Sequence, residues 1–189
     1  MSKIGLIVVD MIYDFTNPKG LIYYPKNKKI LPKIIDLITY CKKYDCQIFY
    51  VKHSLTEEDY KNNVKKMRRC CIKDSGGDDL DERLPYNSNE DIVIEKKSYS
   101  AFFKTDLLKI LQKKAIEQLI VVGTKTNNCV YATVLDAYNY NYPVYVVKDC
   151  VGTKDDLTNS IYLGDIQAYL GEVVSLENIK KMIKAGELK

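Results

Sequence analysis

Cys129 is the residue whose position in the sequence says most about chemistry. It lies in the segment GTKTNNCV, residues 123–130, directly after the apolar run 119–122. We expect a strand and then a helix there, with Thr126 as the N-cap and Cys129 as the third helical residue. Since the amides and dipole of a helix start stabilise negative charge, this position predicts a thiol whose pKa falls from roughly 8.5 toward neutrality. The alternative is a small buried apolar residue, the usual role of a cysteine.

Asp10 and Lys96 stand at the ends of two further apolar runs, residues 4–9 and 91–95. In parallel α/β sheets, ligands bind at the carboxyl ends of the strands. A carboxylate there can accept a thiol proton, and a nearby ammonium keeps that carboxylate ionised. Taken singly, Asp10 could be a solvated acid and Lys96 an exposed lysine beside Lys97. The three residues together predict a nucleophile, a general base and a cation in one site.

The rest of the chain predicts the sheet that such a site needs. Strand-like and helix-like patterns alternate, which favours a parallel sheet covered by helices on both faces. We predict six strands, at residues 4–9, 47–51, 91–95, 118–122, 143–147 and 172–175. We predict helices at residues 30–43, 106–114, 127–139, 157–170 and 176–184.

Two long irregular segments interrupt this alternation, residues 16–29 and 54–89. Connections of this length in a compact domain are usually functional loops or lids. The second segment is predicted to contain a helix over residues 57–69. Because each segment follows a strand, we expect both at the Asp10 end of the sheet, where they wall the pocket.

Three motifs carry a family resemblance: LIVVDMIYDF at residues 6–15, KKSYSAF at 96–102 and GTKTNNCVYAT at 123–133. They resemble the isochorismatase-like cysteine hydrolases, a superfamily that includes nicotinamidases, N-carbamoylsarcosine amidohydrolases and ureidoacrylate hydrolases. The resemblance covers nearly the whole chain and implies a single domain over residues 1–189. It also implies a three-layer α/β/α, Rossmann-like fold whose six-stranded parallel sheet has the order 3-2-1-4-5-6.

Carried over by position, the resemblance implies that Asp10, Lys96 and Cys129 are the catalytic triad. Cys129 would attack a carbonyl carbon, and a thioester intermediate would then be hydrolysed. The resemblance also implies an oxyanion hole formed by the backbone amides of Lys125 and Cys129, with a cis peptide bond between Thr124 and Lys125.

The pocket wall is predicted less specifically. Phe15, Tyr99 and Tyr131 are candidate substrate-binding residues, and Asn128 is either a helix-start residue or a contact at the rim. Lys125 departs from the family, which usually has a small residue there. Its side chain either extends to solvent or brings a positive charge to the pocket, in which case a carboxylate-bearing amide or ureide is favoured.

No metal or cofactor is predicted. The nicotinamidases of the superfamily hold a metal with an Asp-x-His pair and a further histidine. Here His53 is the only histidine, and Leu55 follows it where a ligand would be needed. One imidazole without a neighbouring acid is insufficient for a zinc site, so His53 is interpreted as a structural or rim residue.

Composition limits the partners and the compartment. The net charge of +4 is small and its lysines are scattered, so nucleic acid is not indicated as a partner. No apolar stretch approaches membrane-spanning length, and six cysteines without disulfide or zinc spacing suit a reducing compartment. We expect a soluble cytoplasmic protein. The resemblance and the tyrosine-rich residues 138–142 favour a homo-oligomer.

The prediction is therefore a cysteine-dependent hydrolase that cleaves a non-peptide C–N bond of a small amide or ureide. Two alternatives stay open. One is an isochorismatase-type enol-ether hydrolase, which in the family does not require the cysteine. The other is an inactive binding protein that keeps the same fold.

Overall fold

Six strands and seven α-helices are seen in the computed structural model, which describes residues 3–62 and 69–188. The strands are Ile4–Val9 (β1), Gln47–His53 (β2), Ile92–Lys96 (β3), Gln118–Thr124 (β4), Val144–Gly152 (β5) and Glu172–Val174 (β6). The helices are Tyr13–Thr16 (α1), Asn27–Lys42 (α2), Glu57–Lys61 (α3), Leu107–Lys113 (α4), Tyr131–Asn139 (α5), Asp156–Tyr169 (α6) and Leu176–Ala185 (α7). A π-helical turn, Thr126–Val130, precedes α5.

All strand pairs are parallel, and the order is β3-β2-β1-β4-β5-β6, which confirms the predicted topology. β1 and β4 are the two central strands, and the direction in which successive strands are added to the sheet reverses between them. At such a switch point the two following connections diverge, which leaves a crevice at the carboxyl ends of the strands.

Alternation along the strands divides the core into two layers. Leu6 and Val8 of β1 face a cluster built with α2 and α7. Ile7 and Val9 face a second cluster built with α4, α5 and α6. Because both faces of the sheet are covered, the central strands are apolar throughout, and the architecture is the predicted three-layer one.

β1 and β4 approach each other closely where they end. Gly123 pairs with Val9 and has φ of +116°, and a Cβ atom there would lie 2.1 Å from the Val9 carbonyl oxygen. Only glycine fits this backbone conformation and this contact. The segments that follow the two strands therefore start side by side.

Several element ends differ from the predicted ones. β2 continues to His53 rather than to residue 51, and β5 continues to Gly152 rather than to residue 147. β5 can extend because its pairing with β4 shifts register after Val146 and resumes at Val151, beyond the charged pair at residues 148–149. Of the helix predicted over residues 57–69, the structure has Glu57–Lys61, and residues 63–68 lie outside the described part.

Among the residues described, no helix combines the length and the apolar character that crossing a bilayer requires.

Candidate active site

Asp10, Lys96 and Cys129 meet at the carboxyl ends of β1, β3 and β4. The Lys96 Nζ atom lies 2.8 Å from Asp10 Oδ2 and 3.4 Å from Cys129 Sγ. It also lies 3.1 Å from the Ser98 carbonyl oxygen and 3.2 Å from His53 Nδ1. Asp10 and Lys96 are 0% and 1% exposed, so this ion pair is shielded from solvent.

Local backbone structure orients Asp10. Its φ of 53° is in the left-handed region, which aspartate tolerates better than most residues. Its N–H donates to the Val51 carbonyl at 2.8 Å, and its Oδ1 accepts from the His53 N–H at 2.9 Å. The carboxylate is thus fixed by β2 on one side and by Lys96 on the other.

Cys129 lies on the π-helical turn, which begins earlier than expected. Lys125 is the N-cap, and its carbonyl accepts from the Asn128 and Val130 amides on either side of the cysteine. The prediction that Thr126 is the N-cap was wrong. The Thr126 hydroxyl donates instead to Asn159 on α6, at 2.6 Å.

Thr133 holds Cys129 from the helix that follows. Its hydroxyl donates to the Cys129 carbonyl at 2.7 Å and accepts from the Ala101 N–H at 3.1 Å. It therefore ties the turn that carries the thiol to the segment that follows Lys96.

The thiol does not have the lowered pKa that the helix start suggested. Burial, the largest cause, and the Asp10 carboxylate together raise the pKa of Cys129 to about 12, and Lys96 offsets only part of their effect. The sulfur is consequently a neutral thiol at rest. It needs a base to become a nucleophile, and Asp10 is the adjacent one.

Lys96 keeps its charge despite complete burial. Desolvation by itself lowers the pKa of its ammonium group, but the Asp10 charge and the hydrogen bonds that the ammonium donates to Asp10 and Cys129 outweigh that effect, so the pKa is raised. An ammonium beside both the carboxylate and the sulfur can balance negative charge on either one.

A cavity of about 70 Å³ opens above the thiol. Three predicted substrate-binding residues, Phe15, Tyr99 and Asn128, line it. The other lining residues come from both long segments, from β2 and from the turn before Cys129: Ile22, Tyr24, His53, Cys70, Cys71, Lys125 and Cys129 itself. The two segments thus wall the pocket, as expected from their positions after β1 and β2.

Lys125 does not extend away to solvent. Its side chain lines the cavity, and its Nζ lies 4.8 Å from the centroid of the Tyr24 ring. A cation over an aromatic face is stabilised by the ring quadrupole. One wall of the pocket is therefore positively charged. The peptide bond between Thr124 and Lys125 is cis.

Tyr131 does not take the place predicted for it. It is not among the residues that line the cavity, and its hydroxyl donates to Asp165 on α6 at 2.8 Å. Its ring packs edge-on against Tyr162. Tyr131 is the first residue of α5, and its side chain extends toward α6 rather than toward the pocket.

Asp14 organises both loops, a role that the sequence analysis missed. Its Oδ1 accepts from the Leu21 N–H at 3.1 Å and its Oδ2 from the Cys71 N–H at 2.6 Å. Asp14 is 3% exposed. Asp14 belongs to the first motif, but its partner Cys71 is 57 residues further along the chain, and no sequence pattern relates the two.

The residues present do not fit the metal of the nicotinamidases. Within the described ranges, one group of three ligand-type side chains comes together, Asp10, His53 and Cys129, with ligand atoms within 4.8 Å of one another. The Lys96 ammonium contacts all three, and a metal ion would have to share that space with it. The Leu55 side chain supplies no ligand atom.

Comparison with known proteins identifies the family of the chain. The family model described as Isochorismatase domain matches residues 5–178. The chain therefore belongs to the isochorismatase family. YaaI of Bacillus subtilis (strain 168), an isochorismatase family protein, is 29% identical over 184 residues, 95% of this chain and 98% of the relative. Maleamate amidohydrolase of Pseudomonas putida is 28% identical over 187 residues, 96% of this chain and 87% of that enzyme.

Solved structures show the same fold. An isochorismatase-like hydrolase from Alkaliphilus metalliredigens superposes with a TM-score of 0.88, covering 98% of this chain and 100% of that one. The two sequences are 23% identical, so this likeness concerns the fold alone.

Proposed function

We propose that the protein is a cysteine hydrolase that cleaves a non-peptide C–N bond of a small amide or ureide through a thioester. The observation that carries the proposal is the Lys96 ammonium, which lies within hydrogen-bond distance of both the Asp10 carboxylate and the Cys129 sulfur. A buried base, cation and thiol below one small cavity suit nucleophilic attack on a carbonyl.

The acylation half begins when Asp10 accepts the thiol proton and Cys129 Sγ bonds to the carbonyl carbon. The backbone amides of Lys125 and Cys129 are proposed to donate to the resulting oxyanion. As the tetrahedral intermediate collapses, the C–N bond breaks, and Asp10 gives its proton to the leaving nitrogen. A thioester on Cys129 remains.

The deacylation half uses the same base. Asp10 takes a proton from a water molecule, whose oxygen attacks the thioester carbon. The C–S bond then breaks, and the proton returns to the sulfur as the acid product leaves. Lys96 stays protonated throughout and balances the charge that moves between carboxylate and sulfur.

The walls of the cavity favour a substrate that is small and carries a carboxylate. Phe15, Ile22 and Tyr24 provide apolar contact, and Lys125 provides the positive charge. A relative at 28% identity acts on maleamate, a short amide with a carboxylate at its other end.

Ammonia release from a panel of small amides and ureides tests the proposal, with maleamate and its uncharged analogue (Z)-but-2-enamide, the Z isomer of crotonamide and called crotonamide below, included. We expect turnover of at least one carboxylate-bearing member in the presence of EDTA, because no step uses a metal. Cys129→Ala should abolish this turnover. Cys150→Ala is the matched control, since Cys150 is a buried thiol in the core layer on the other face of the sheet.

Two outcomes contradict the proposal. In one, Cys129→Ala keeps its turnover while melting at the wild-type temperature. In the other, the panel releases no ammonia with a folded wild-type protein, and the inactive binding protein becomes the better interpretation.

A further inference from the structure

His53, which the sequence analysis interpreted as a structural or rim residue, lies beside the proposed catalytic groups. It is the last residue of β2 and is 5% exposed. Its backbone N–H donates to Asp10, its Nδ1 lies 3.2 Å from Lys96 Nζ, and its side chain lines the same cavity as Cys129.

The contact with Lys96 determines which ring nitrogen carries the proton. A lysine ammonium has only hydrogens to offer, so His53 Nδ1 must accept. Burial and the Lys96 charge lower the pKa of the imidazole to about 4, despite an opposing effect of Asp10. The ring is therefore neutral at neutral pH, and its one proton lies on Nε2.

That Nε2–H has no acceptor in the described part of the protein. Buried side-chain polar atoms without a hydrogen-bond partner occur there on Asn27, Tyr50, His53 and Asp78, and of these residues only His53 lines the cavity. A buried donor without an acceptor is unfavourable, and natural proteins rarely keep one without a reason. A bound molecule in the cavity can supply the missing acceptor.

We propose that His53 is a substrate-binding residue whose Nε2–H donates a hydrogen bond to an oxygen of the substrate other than the attacked carbonyl oxygen. A carboxylate oxygen fits best, because Lys125 lines the same cavity and its positive charge favours a negatively charged ligand. The inference rests on the proposed function for the identity of the ligand as a substrate. If the proposal is right, the His53 imidazole selects amides that carry a second hydrogen-bond acceptor besides the attacked carbonyl oxygen.

The chain contains a single histidine, so its imidazole can be observed without ambiguity. Untagged Cys129→Ala protein labelled with ¹⁵N-histidine is examined by long-range ¹H–¹⁵N NMR, alone and with formate, acrylate or maleamate. We expect the Nε2–H tautomer in the free protein. We also expect a saturable downfield movement of the Hε2 resonance with at least one of the three carboxylates. An Nδ1–H tautomer, or an Hε2 resonance that none of the three moves, overturns the inference.

Kinetics separate substrate binding from a structural effect on Lys96. Wild type, His53→Ala and His53→Gln are compared on maleamate and crotonamide. Loss of the donor in His53→Ala should raise KM for maleamate roughly tenfold and reduce the preference for maleamate over crotonamide. Glutamine also carries an N–H donor, so His53→Gln should recover part of that preference.

Equal loss of kcat on both amides, with the preference unchanged, would make His53 a support for Lys96 and overturn the inference. The NMR result does not depend on turnover. A shifted Hε2 resonance without ammonia release would count against the hydrolase and leave the binding role standing. Turnover with an unmoved resonance would count against the binding role alone.

Discussion

Burial and two neighbouring charged groups determine the protonation state of the Cys129 thiol. Burial and the Asp10 carboxylate oppose its ionisation, and Lys96 favours it. In the proposed mechanism, the nucleophile therefore forms as Asp10 removes the proton, rather than existing beforehand as a stable thiolate. The expectation of a lowered pKa considered the helix start alone. It omitted the desolvation that a closed active site imposes on every charge it contains.

This coupling predicts that the triad fails as a unit. Asp10→Asn, Lys96→Ala and Cys129→Ala should each reduce turnover of an accepted amide by roughly 10²-fold or more. The Asp10→Asn, Cys129→Ala double variant should be little worse than either single one, because residues that act together are not additive. Ammonia release measures the rates, and melting curves check the fold.

Asp10→Asn leaves the buried Lys96 charge without its partner, and the loss of fold must be kept apart from the loss of catalysis. The Asp10→Asn, Lys96→Met variant removes both charges and serves as the folded comparison. Near wild-type turnover in a folded Asp10→Asn protein would show that the assigned base is wrong.

His53 predicts a specific dependence of stability on pH. Its pKa is about 4 in the folded protein and 6.5 when unperturbed. Between these values the unfolded chain binds a proton that the folded protein does not bind. Acid therefore favours unfolding, and the loss of stability begins near pH 6.5 and grows until about pH 4.

From pH 7 to pH 5, this effect should lower the free energy of unfolding by about 2 kcal/mol. Urea unfolding at the two pH values measures it in wild type and in His53→Gln, which lacks the titrating group. The variant should lose about 2 kcal/mol less than wild type over this interval. Equal losses in the two proteins would mean that His53 is not held neutral by the fold.

At the scale of elements, the pocket depends on two loops that share one carboxylate. Asp14 accepts the backbone N–H of Leu21 from the first loop and of Cys71 from the second. The side chain of Asn27, at the start of α2, donates to the Phe15 carbonyl and fixes the first loop again. The walls of the cavity are thus held by polar contacts of buried side chains.

Asp14→Asn should therefore weaken the loops. An amide has one oxygen, so one of the two N–H groups would face the NH₂ group and lose its acceptor. We expect a loss of about 1–3 kcal/mol in the free energy of unfolding, measured in urea. Asp165→Asn is the matched control, because Asp165 accepts from the Tyr131 hydroxyl away from the cavity. A stability loss no greater than that of the control would contradict the role of Asp14.

Some of this architecture was predictable from the sequence. Apolar runs that end in Asp10 and Lys96, and one that precedes Cys129, indicated three strand ends at one edge of a parallel sheet. The sheet order came from the family resemblance rather than from the apolar pattern. The strands were predictable because their burial on both faces requires unbroken apolar runs.

The sites that were missed depend on contacts between distant segments. The N-cap is Lys125 rather than Thr126, and the Thr126 hydroxyl, which was expected to cap the helix, donates a hydrogen bond to Asn159 on α6. Tyr131 turned to Asp165 for a similar reason. His53 gained its place because β2 runs two residues further than its apolar stretch. Local propensity contains no information about such partners.

At the scale of the whole molecule, α6 is the least buried of the long helices that pack against the sheet. Ile166 is its one buried residue, whereas Leu157 and Ile161 are 71% and 59% exposed. Tyr138 and Tyr140, at the end of the neighbouring α5, are about half exposed. Leu157 and Ile161 are four residues apart on α6 and so share one face of the helix, and exposed apolar side chains on a common face are typical of a protein interface.

We predict that this surface joins two copies of the chain in a homo-oligomer. Light scattering at micromolar concentration should give a mass of at least twice the 21.8 kDa of one chain. Leu157→Asp and Ile161→Asp place a charge in the proposed contact and should each shift the protein to the monomer mass, because an unpaired charge is costly to bury. Phe103→Asp is the control: Phe103 lies in the segment after β3 and is 53% exposed, comparable to Ile161, and its change should leave the mass unchanged. A wild-type protein that is monomeric at this concentration would refute the prediction, and an oligomer that both α6 variants preserve would place the interface elsewhere.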